Sequence, residues 1–407
     1  GCDSAEGDVL LAITGLGALC SCVMAAVALG EAKVDILMCS TAYGGSSQQA
    51  DILVKHIEGF DKHTFDIQGQ NGDVFKALSG QLQAMKAGPR KAVTLVQLEY
   101  PTNPDMKDCD LDGLEGLILD YQRATGSKVV VVFDTTFSPI SRVARGMFGE
   151  VAVIVFNSLS KSVSGGKTTG GSLVANQHPV AQQLLKTAHE YLALLGGESK
   201  GCQLRILAAR HSECEDRVAN AHRNAVTCAA HLEACVLKYT GTAMKVNFVT
   251  PQQIAKHVTP ATFSFNLPAP GHLPPGKEGA TILAGLAQEI VDGLVSAHPS
   301  GIKPCVSFGQ KNSLVYVTVP ATSTQGVLSE AAKAKQAIGG VQLVRFSFPP
   351  SMDHGAWNSA VETALQKLYA PRVEATPAPS SRWSPLMLLG TVAAIAGVAL
   401  ALRRRMC

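Results

Sequence analysis

Lys161 is the side chain whose surroundings best suit covalent chemistry in this sequence. It lies in FNSLSKSVSGGKTTGG, which follows the apolar run VAVIV and contains hydroxyl side chains and glycines on both sides of the lysine. A lysine amine at the end of a strand can form a Schiff base with a carbonyl compound while neighbouring hydroxyls hold an anion. Taken alone, the motif equally describes a solvated lysine in a surface loop.

Two further segments bring polar groups to strand ends. Asp134 closes the apolar run KVVVVFD, and a carboxylate there can keep a pyridine nitrogen protonated, although it could also cap the next turn. Asn103 lies in LEYPTNP, where Pro101 and Pro104 prevent a helix from continuing. We expect both side chains at the same edge of a sheet.

Two glycine-containing segments complete the set. STAYGG offers the Tyr43 ring for stacking on a flat cofactor, and the glycines after it let backbone approach closely. ITGLGAL opens a helix, whose amide hydrogens at Gly15 and Leu16 could hold a phosphate. Together the five segments suit a phosphate-bearing pyridine cofactor attached to a lysine.

Short β-branched runs alternate with longer helical ones in the first part of the chain. The runs are VDILMCS, AVTLVQLEY, KVVVVFD, VAVIVFNS and GGSLVAN, and this alternation predicts an α/β fold with a parallel sheet. After a helical region, ATFSFNLP, KPCVSFG, LVYVTVP and VQLVRFSF predict a smaller α+β domain. We therefore expect a large domain over residues 1–240 and a small domain over 241–370.

Two apolar stretches receive different interpretations. Residues 9–29 are preceded by acidic residues and interrupted by glycines, which favours a buried helix opened by a glycine turn over a signal peptide or a membrane span. Residues 385–402 are uncharged, with Trp383 on one side and three arginines on the other. They predict a transmembrane helix after a flexible linker at 371–384; the alternative is an apolar tail folded back on the body.

This span predicts a tail anchor, because only five residues follow it. The body would then be cytosolic and tethered to an intracellular membrane, such as the outer membrane of a mitochondrion or plastid. The net charge of +3 with no extended basic face gives no reason to expect a nucleic acid partner. The 11 cysteines lack metal-site spacing, so we predict no metal and free thiols in a reducing compartment.

In order and spacing, the motifs resemble the Cys/Met-metabolism family of pyridoxal 5′-phosphate (PLP) enzymes. That family includes cystathionine γ-synthase, cystathionine γ-lyase, cystathionine β-lyase, methionine γ-lyase and the O-acylhomoserine sulfhydrylases. The resemblance extends from about Gly7 to Leu368 and is carried by TGLGA, YGG, EYPTNP, DTTFSP, NSLSK, LRILAARHSE, SFGQKNSL and VRFSF. It implies a fold of the aspartate aminotransferase type with a mainly parallel seven-stranded sheet.

The resemblance also implies roles around the cofactor. Lys161 would hold PLP as a Schiff base and shuttle protons, while Tyr43 would stack on the ring and exchange a proton at the leaving group. Asp134 would pair with the ring nitrogen and Asn103 would contact the phenolic oxygen. The phosphate would be held by Ser158, Ser160 and the amides of Gly15 and Leu16.

For the substrate, the resemblance implies that Arg345 binds the carboxylate, with Ser307 and Asn103 beside it. Val306 stands where cystathionine γ-synthase and γ-lyase usually carry a glutamate, and methionine γ-lyase has an apolar residue there. This favours an apolar thioether or an O-acylhomoserine substrate. The expected reactions are β- or γ-elimination and γ-replacement.

Three positions depart from the family pattern. Asn157 and Ser162 stand in place of His and Tyr around the lysine motif, and Thr135 replaces the Asn that follows the ring-binding Asp. These departures motivate an alternative, a membrane-tethered pseudoenzyme that keeps the fold as a scaffold; a PLP aminotransferase is another. The family's Tyr-x-Arg segment, which contacts the neighbouring subunit's phosphate, would lie before Gly1. The resemblance therefore also implies a homodimer or homotetramer.

Overall fold

The computed structural model describes residues 6–67, 72–141, 143, 149–255, 258–268, 277–309, 313–319 and 343–369. These residues form two β-sheets and the helices that pack on them. The predicted linker at 371–384 and the predicted membrane helix at 385–402 lie outside the described residues. None of the described helices is long and apolar enough to cross a membrane.

The larger sheet has seven strands in the order β1-β7-β6-β5-β4-β2-β3. The strands are β1 (Val9–Ala12), β2 (Val34–Cys39), β3 (Phe60–Phe65), β4 (Val93–Glu99), β5 (Lys128–Asp134), β6 (Ala152–Asn157) and β7 (Gly171–Ala175). Neighbours from β3 to β6 pair in parallel, whereas β7 is antiparallel to both β6 and β1. The α/β class and the mainly parallel sheet are confirmed, and β7 makes the sheet mixed.

The central strand β5 is apolar on both faces. Its residues from Val129 to Phe133 are each at most 2% exposed, and burial of a side chain of this size contributes about 1.5–3 kcal/mol. A strand covered on both faces needs such a continuous apolar sequence. Asp134, at the carboxyl end of β5, is the exception and lies at the edge where open α/β sheets bind ligands.

The first helices pack on this sheet. They are α1 (Gly15–Leu29), α2 (Gly44–His56), α3 (Val74–Met85), α4 (Leu114–Thr125) and α5 (Pro179–Leu194). The Thr14 hydroxyl caps α1 by accepting a hydrogen bond from the Gly17 amide at 2.9 Å. The buried helix predicted within residues 9–29 is confirmed for α1, and the residues before Thr14 form β1, which pairs with β7.

The smaller sheet has the order β8-β11-β10-β9. It consists of β8 (Thr262–Asn266), β9 (Ile302–Pro304), β10 (Val315–Thr318) and β11 (Leu343–Ser347). The remaining described helices are α6 (Gly201–His211), α7 (Cys214–Thr240), α8 (Pro251–Ala255), α9 (Lys277–Ala297) and α10 (His354–Tyr369). An aromatic core joins this sheet to α10, since the Phe346 ring lies 5.3 Å from the Trp357 ring and 5.4 Å from the Phe263 ring.

A direct contact joins the smaller sheet to the turn after β4. The Ser264 hydroxyl of β8 donates to the Pro104 carbonyl at 2.7 Å. Both sheets belong to one compact unit that extends to Leu368. The division near residue 240, where α7 ends, stays a prediction.

Candidate active site

A cavity of about 390 Å³ opens at the carboxyl edge of the larger sheet. Its wall combines the ends of β4, β5 and β6 with the first residues of α1 and one side chain from β11. Nine of the ten predicted site residues line it, namely Gly15, Leu16, Tyr43, Asn103, Asp134, Ser158, Ser160, Lys161 and Arg345. The tenth, Ser307, contacts Lys161 directly. The structure therefore brings all ten to one place.

Lys161 lies in the turn that follows β6, with its side chain partly buried. Its Nζ donates to Ser307 Oγ at 2.5 Å and lies 5.4 Å from the centre of the Phe308 ring. Burial, and then the positive charge of Arg345, lower the pKa of this amine. Because the neutral amine is the form that attacks a carbonyl, this environment suits a Schiff-base lysine.

Asp134 is only 8% exposed at the end of β5. One of its carboxylate oxygens accepts a hydrogen bond from the Thr136 amide at 2.9 Å. Burial raises the pKa of the Asp134 carboxyl to about 6. A buried carboxylate is stabilised by a cation beside it, and a protonated ring nitrogen is a cation of the required kind.

Glu99 is a site residue that the sequence interpretation missed. It is the register partner of Asp134 across β4 and β5, and its two oxygens accept from the amides of Tyr43 at 2.6 Å and Asn103 at 3.0 Å. Burial, and then the charge of Asp134, raise the pKa of Glu99 to about 8. The available signal was an acidic residue at the end of an apolar strand, the pattern that singled out Asp134.

Tyr43 lies immediately before α2. Its ring fits there because Gly45, in the first turn of α2, has no side chain. A Cβ on Gly45 would lie 2.6 Å from Tyr43 Cε1. Burial, followed by the charges of Asp134 and Glu99, raises the pKa of the Tyr43 phenol. The hydroxyl therefore keeps its proton at neutral pH and can give it to a group in the cavity.

Arg345 reaches the cavity from β11 and is 7% exposed. Its Nη1 donates to Asn103 Oδ1 at 2.9 Å and its Nη2 donates to the Val306 carbonyl at 2.6 Å, while Nε has no hydrogen-bond partner among the described residues. Burial lowers the pKa of Arg345 to about 10, which leaves the group charged at neutral pH. A buried guanidinium with an unused donor in a cavity wall suits a carboxylate ligand.

The start of α1 and the turn after β6 form a further part of the wall. Gly15 and Leu16 are the first residues of α1, and amides at this place have no acceptor within the helix. A Cβ on Gly15 would lie 2.9 Å from Ser158 Oγ, so only glycine permits this approach. Ser160 Oγ donates to the Gly170 carbonyl at 3.2 Å, which holds the turn to the start of β7. The amides of Gly15 and Leu16 and the Ser158 hydroxyl suit a phosphate. The Ser160 hydroxyl hydrogen already binds the Gly170 carbonyl, so a contact of Ser160 with the phosphate stays a prediction.

The sequence profile of the Cys/Met metabolism PLP-dependent enzyme family matches residues 3–349. The chain belongs to this family. The matched region contains every residue of the cavity described above, from Thr14 to Arg345. PLP is therefore the cofactor that this cavity has to accommodate.

Solved structures of the same fold include three enzymes of cystathionine chemistry. The cystathionine gamma-lyase of Micromonospora echinospora is 18% identical, over 88% of this chain and 82% of that chain, with a TM-score of 0.64. The cystathionine gamma-lyase of Lactobacillus plantarum, complexed with L-serine, is 17% identical over the same shares, also with a TM-score of 0.64. The cystathionine gamma-synthase of Xanthomonas oryzae pv. oryzae, in complex with aminoacrylate and cysteine, is 20% identical over 88% and 81%, with a TM-score of 0.61. No curated protein sequence matches the chain.

The cavity fits the family's cofactor in three respects. It contains a buried carboxyl at Asp134, an Arg345 nitrogen without a hydrogen-bond partner in the described part of the chain, and a space at Gly15 that any side chain would fill. When bound, PLP supplies an electron sink for negative charge that develops at the substrate's Cα. Lys161 would hold the cofactor through its amine, and Asp134 would keep its ring nitrogen protonated.

Around that chemistry, the chain's own residues would orient the substrate and move protons. The Lys161 amine, with its lowered pKa, can take a proton from the substrate's Cα and return it. The Tyr43 phenol can protonate a leaving thiolate, and Arg345 can orient the substrate carboxylate. The Phe137 and Phe308 rings stack 4.4 Å apart and make one side of the cavity apolar.

Two of the three departures from the family motifs contact each other. Asn157 Nδ2 donates to both the carbonyl and the hydroxyl oxygen of Thr135, each at 3.1 Å. The third, Ser162, is held through its carbonyl, which accepts from Arg217 Nη1 at 2.8 Å. Together these contacts keep the Lys161 turn against β5 and α7. Arg217 was also missed, because an exposed-looking arginine on a predicted helix gives no signal of such a contact.

Proposed function

We propose that this PLP-dependent enzyme removes or exchanges the β- or γ-substituent of a sulfur amino acid or an O-acylhomoserine. The observation that supports this reaction is that Lys161, Asp134 and Arg345 line one cavity. One bound cofactor and one substrate could then use all three groups. The Lys161 amine would bind the cofactor, the Asp134 carboxylate would bind its ring, and the Arg345 guanidinium would bind the substrate's carboxylate. The family relation supports the same assignment.

We also propose that the distal group of the substrate is apolar, as in a thioether or an acyl ester. Val306, Phe137 and Phe308 lie together in the wall beside Arg345. An ammonium group at this wall would lose hydration without gaining a carboxylate partner from these side chains. Methionine or an O-acylhomoserine fits better on this ground than cystathionine.

The PLP-loaded enzyme should be assayed with methionine, homocysteine, cysteine, cystathionine and O-acylhomoserines. We expect release of α-keto acid and ammonia, or thiol incorporation, with kcat/KM for the best apolar substrate at least about tenfold above that for cystathionine, a difference of about 1.4 kcal/mol. Val306→Glu should reduce this ratio. Formation of pyridoxamine phosphate without elimination would indicate an aminotransferase, and no turnover of any substrate would support the scaffold alternative.

A homodimer or homotetramer is proposed because the cofactor's phosphate needs a cation. Among the described residues, the basic side chains in the cavity wall are Lys161 and Arg345. Lys161 is assigned to the cofactor's carbonyl, and Arg345 is assigned to the substrate's carboxylate. An arginine from a second copy would supply the missing charge, and light scattering that returned the mass of a single chain for the PLP-loaded protein would contradict this.

A membrane anchor is proposed from the composition of residues 385–402, which are uncharged and end at three arginines. The body would stay on the cytosolic face of an organelle membrane. Deletion of residues 371–407 should move the protein from the membrane pellet to the supernatant without loss of activity. Equal partition of the full and shortened chains would refute the anchor.

A further inference from the structure

Three metal-binding types of side chain meet between α7 and α10, outside the PLP cavity. His231 and Cys235 are one turn apart on α7, and Glu362 comes from α10. Their ligand atoms all lie within 4.8 Å of one another, and Cys235 Sγ is 3.2 Å from His231 Nε2. Within the described part of the chain, this is the one group of three such side chains that the fold brings together.

The distance of 3.2 Å between Cys235 Sγ and His231 Nε2 is close to that in a tetrahedral zinc site. Zinc–sulfur bonds of about 2.3 Å and zinc–nitrogen or zinc–oxygen bonds of about 2.0–2.1 Å place neighbouring ligand atoms about 3.4–3.6 Å apart. Cys235 is 3% exposed and His231 is partly buried, so the packing of α7 holds both. The Glu362 side chain is 43% exposed and can rotate to complete the site.

We infer that His231, Cys235 and Glu362 bind a thiophilic divalent cation of the zinc class. A sulfur and an imidazole nitrogen select against magnesium and calcium, which prefer oxygen ligands. The thiolate and the carboxylate balance the two positive charges of the ion, and the proton displaced from the thiol passes to solvent. Three protein ligands leave a fourth position for water at the half-exposed side of the cluster.

Lys238 would compete with the metal ion for the Glu362 carboxylate. Its Nζ lies 3.5 Å from a Glu362 oxygen, in a pair whose Lys238 side chain is 58% exposed. An ion pair of this kind contributes little to stability. Lys238 also lies 4.9 Å from the centre of the Tyr239 ring, which offers it another partner when the ion binds.

The proposed metal site lies far from the PLP cavity. On α7, Arg217 contacts the Lys161 turn, and Cys235 follows 18 residues later, about 27 Å along the helix at 1.5 Å per residue. The ion would therefore clamp α7 to α10 without contacting the cofactor. The sequence alone does not indicate this metal site, because His231 and Cys235 are a weak signal by themselves and Glu362 lies 127 residues beyond Cys235 in the chain.

The test uses the full-length, PLP-loaded protein after removal of bound metal with a chelator. Tetrahedral cobalt(II) absorbs strongly at longer wavelengths than the cofactor, so Co²⁺ titration reports the site directly. We expect absorption that saturates at one Co²⁺ per chain, is lost in Cys235→Ser, and is displaced by Zn²⁺. His231→Gln and Glu362→Gln should weaken binding at least about tenfold, whereas Lys238→Met should strengthen it.

Cys202→Ser is the matched control, because Cys202 is an exposed cysteine on α6 away from the cluster. It should bind Co²⁺ as the unmodified protein does, and circular dichroism checks that each variant is folded. Equal tetrahedral absorption in Cys235→Ser, or no such absorption in the unmodified protein, would overturn the inference. If Cys235→Ser does not fold, an unchanged affinity in His231→Gln overturns it instead.

Discussion

Asp134 and Glu99 place two carboxyls side by side in the floor of the cavity, and burial raises the pKa of each. Neighbouring buried carboxyls resist simultaneous ionisation, because each negative charge disfavours the other. The protonated ring nitrogen of PLP would relieve this repulsion. Cofactor binding and the protonation of this pair should therefore be linked.

The PLP-free protein should lose stability as pH rises from about 4 to about 6. The ordinary pKa of aspartate is 3.8 and that of folded Asp134 is about 6, so in this window the unfolded chain has released a proton that the folded chain retains. The free energy of unfolding then falls with rising pH. Urea unfolding of the PLP-free protein measures this free energy across the pH window. It should fall less steeply with pH in Asp134→Asn than in the unmodified protein. Equal pH dependence in the two proteins would contradict the raised pKa of Asp134.

Arg345→Lys should lower kcat/KM for any accepted amino acid about 10- to 100-fold. Lysine keeps the charge but loses the planar donors that reach Asn103 and Val306, and hydrogen bonds to charged groups contribute about 1.5–3 kcal/mol each. Steady-state kinetics measure the loss. Arg123→Lys, an exposed arginine on α4, should leave kcat/KM unchanged; equal effects of the two changes would contradict the role of Arg345.

Ten site residues could be named from the sequence because each sits at a strand end, at a helix start or in a family motif. Glu99 carried the same strand-end signal as Asp134 and was overlooked. Arg217 could not be named, since its importance lies in a contact with the Ser162 carbonyl, 55 residues away in sequence. Such contacts leave no pattern of spacing. They become visible only when strand register and helix packing are known.

The start of α1 is the element on which the phosphate-binding proposal depends. Gly15→Ala should weaken PLP binding at least about tenfold, since its Cβ would meet Ser158 Oγ at 2.9 Å and push the helix start from the β6 turn. Fluorescence titration of the PLP-free protein measures the affinity. Gly116→Ala is the control, because a Cβ in that part of α4 meets nothing within 4 Å; it should leave PLP affinity unchanged and stabilise the fold by about 1 kcal/mol.

Apolar runs identified five strands of the larger sheet, β2 and β4 to β7, but missed β1 and the polar strand β3. β5 shows why such runs are informative. A strand buried on both faces must be apolar where it is covered, and residues 129–133 (VVVVF) are. The strand β1 before the glycine turn was not predicted, because β1 is defined by pairing with β7, which lies more than 150 residues later. Local composition gives no signal of such a long-range pairing.

The cavity is complete only in the whole molecule, because it draws its cofactor-binding groups from the larger sheet and Arg345 from the smaller one. The hydrogen bond from Arg345 to Asn103 and that from Ser264 to Pro104 both end on the turn after β4. The sequence predicted both sheets but not this shared turn. Substrate binding at Arg345 should therefore depend on the turn as much as on β11.

PLP should attach to the protein through Lys161. Borohydride reduction of the PLP-loaded protein makes this attachment permanent, and peptide mass spectrometry then locates it. We expect one modified peptide per chain, with the added mass on Lys161, and the same result in Lys167→Ala, an exposed lysine of the same loop. Added mass on a different lysine, or its persistence at unchanged level in Lys161→Ala, would show that Lys161 is not the cofactor lysine.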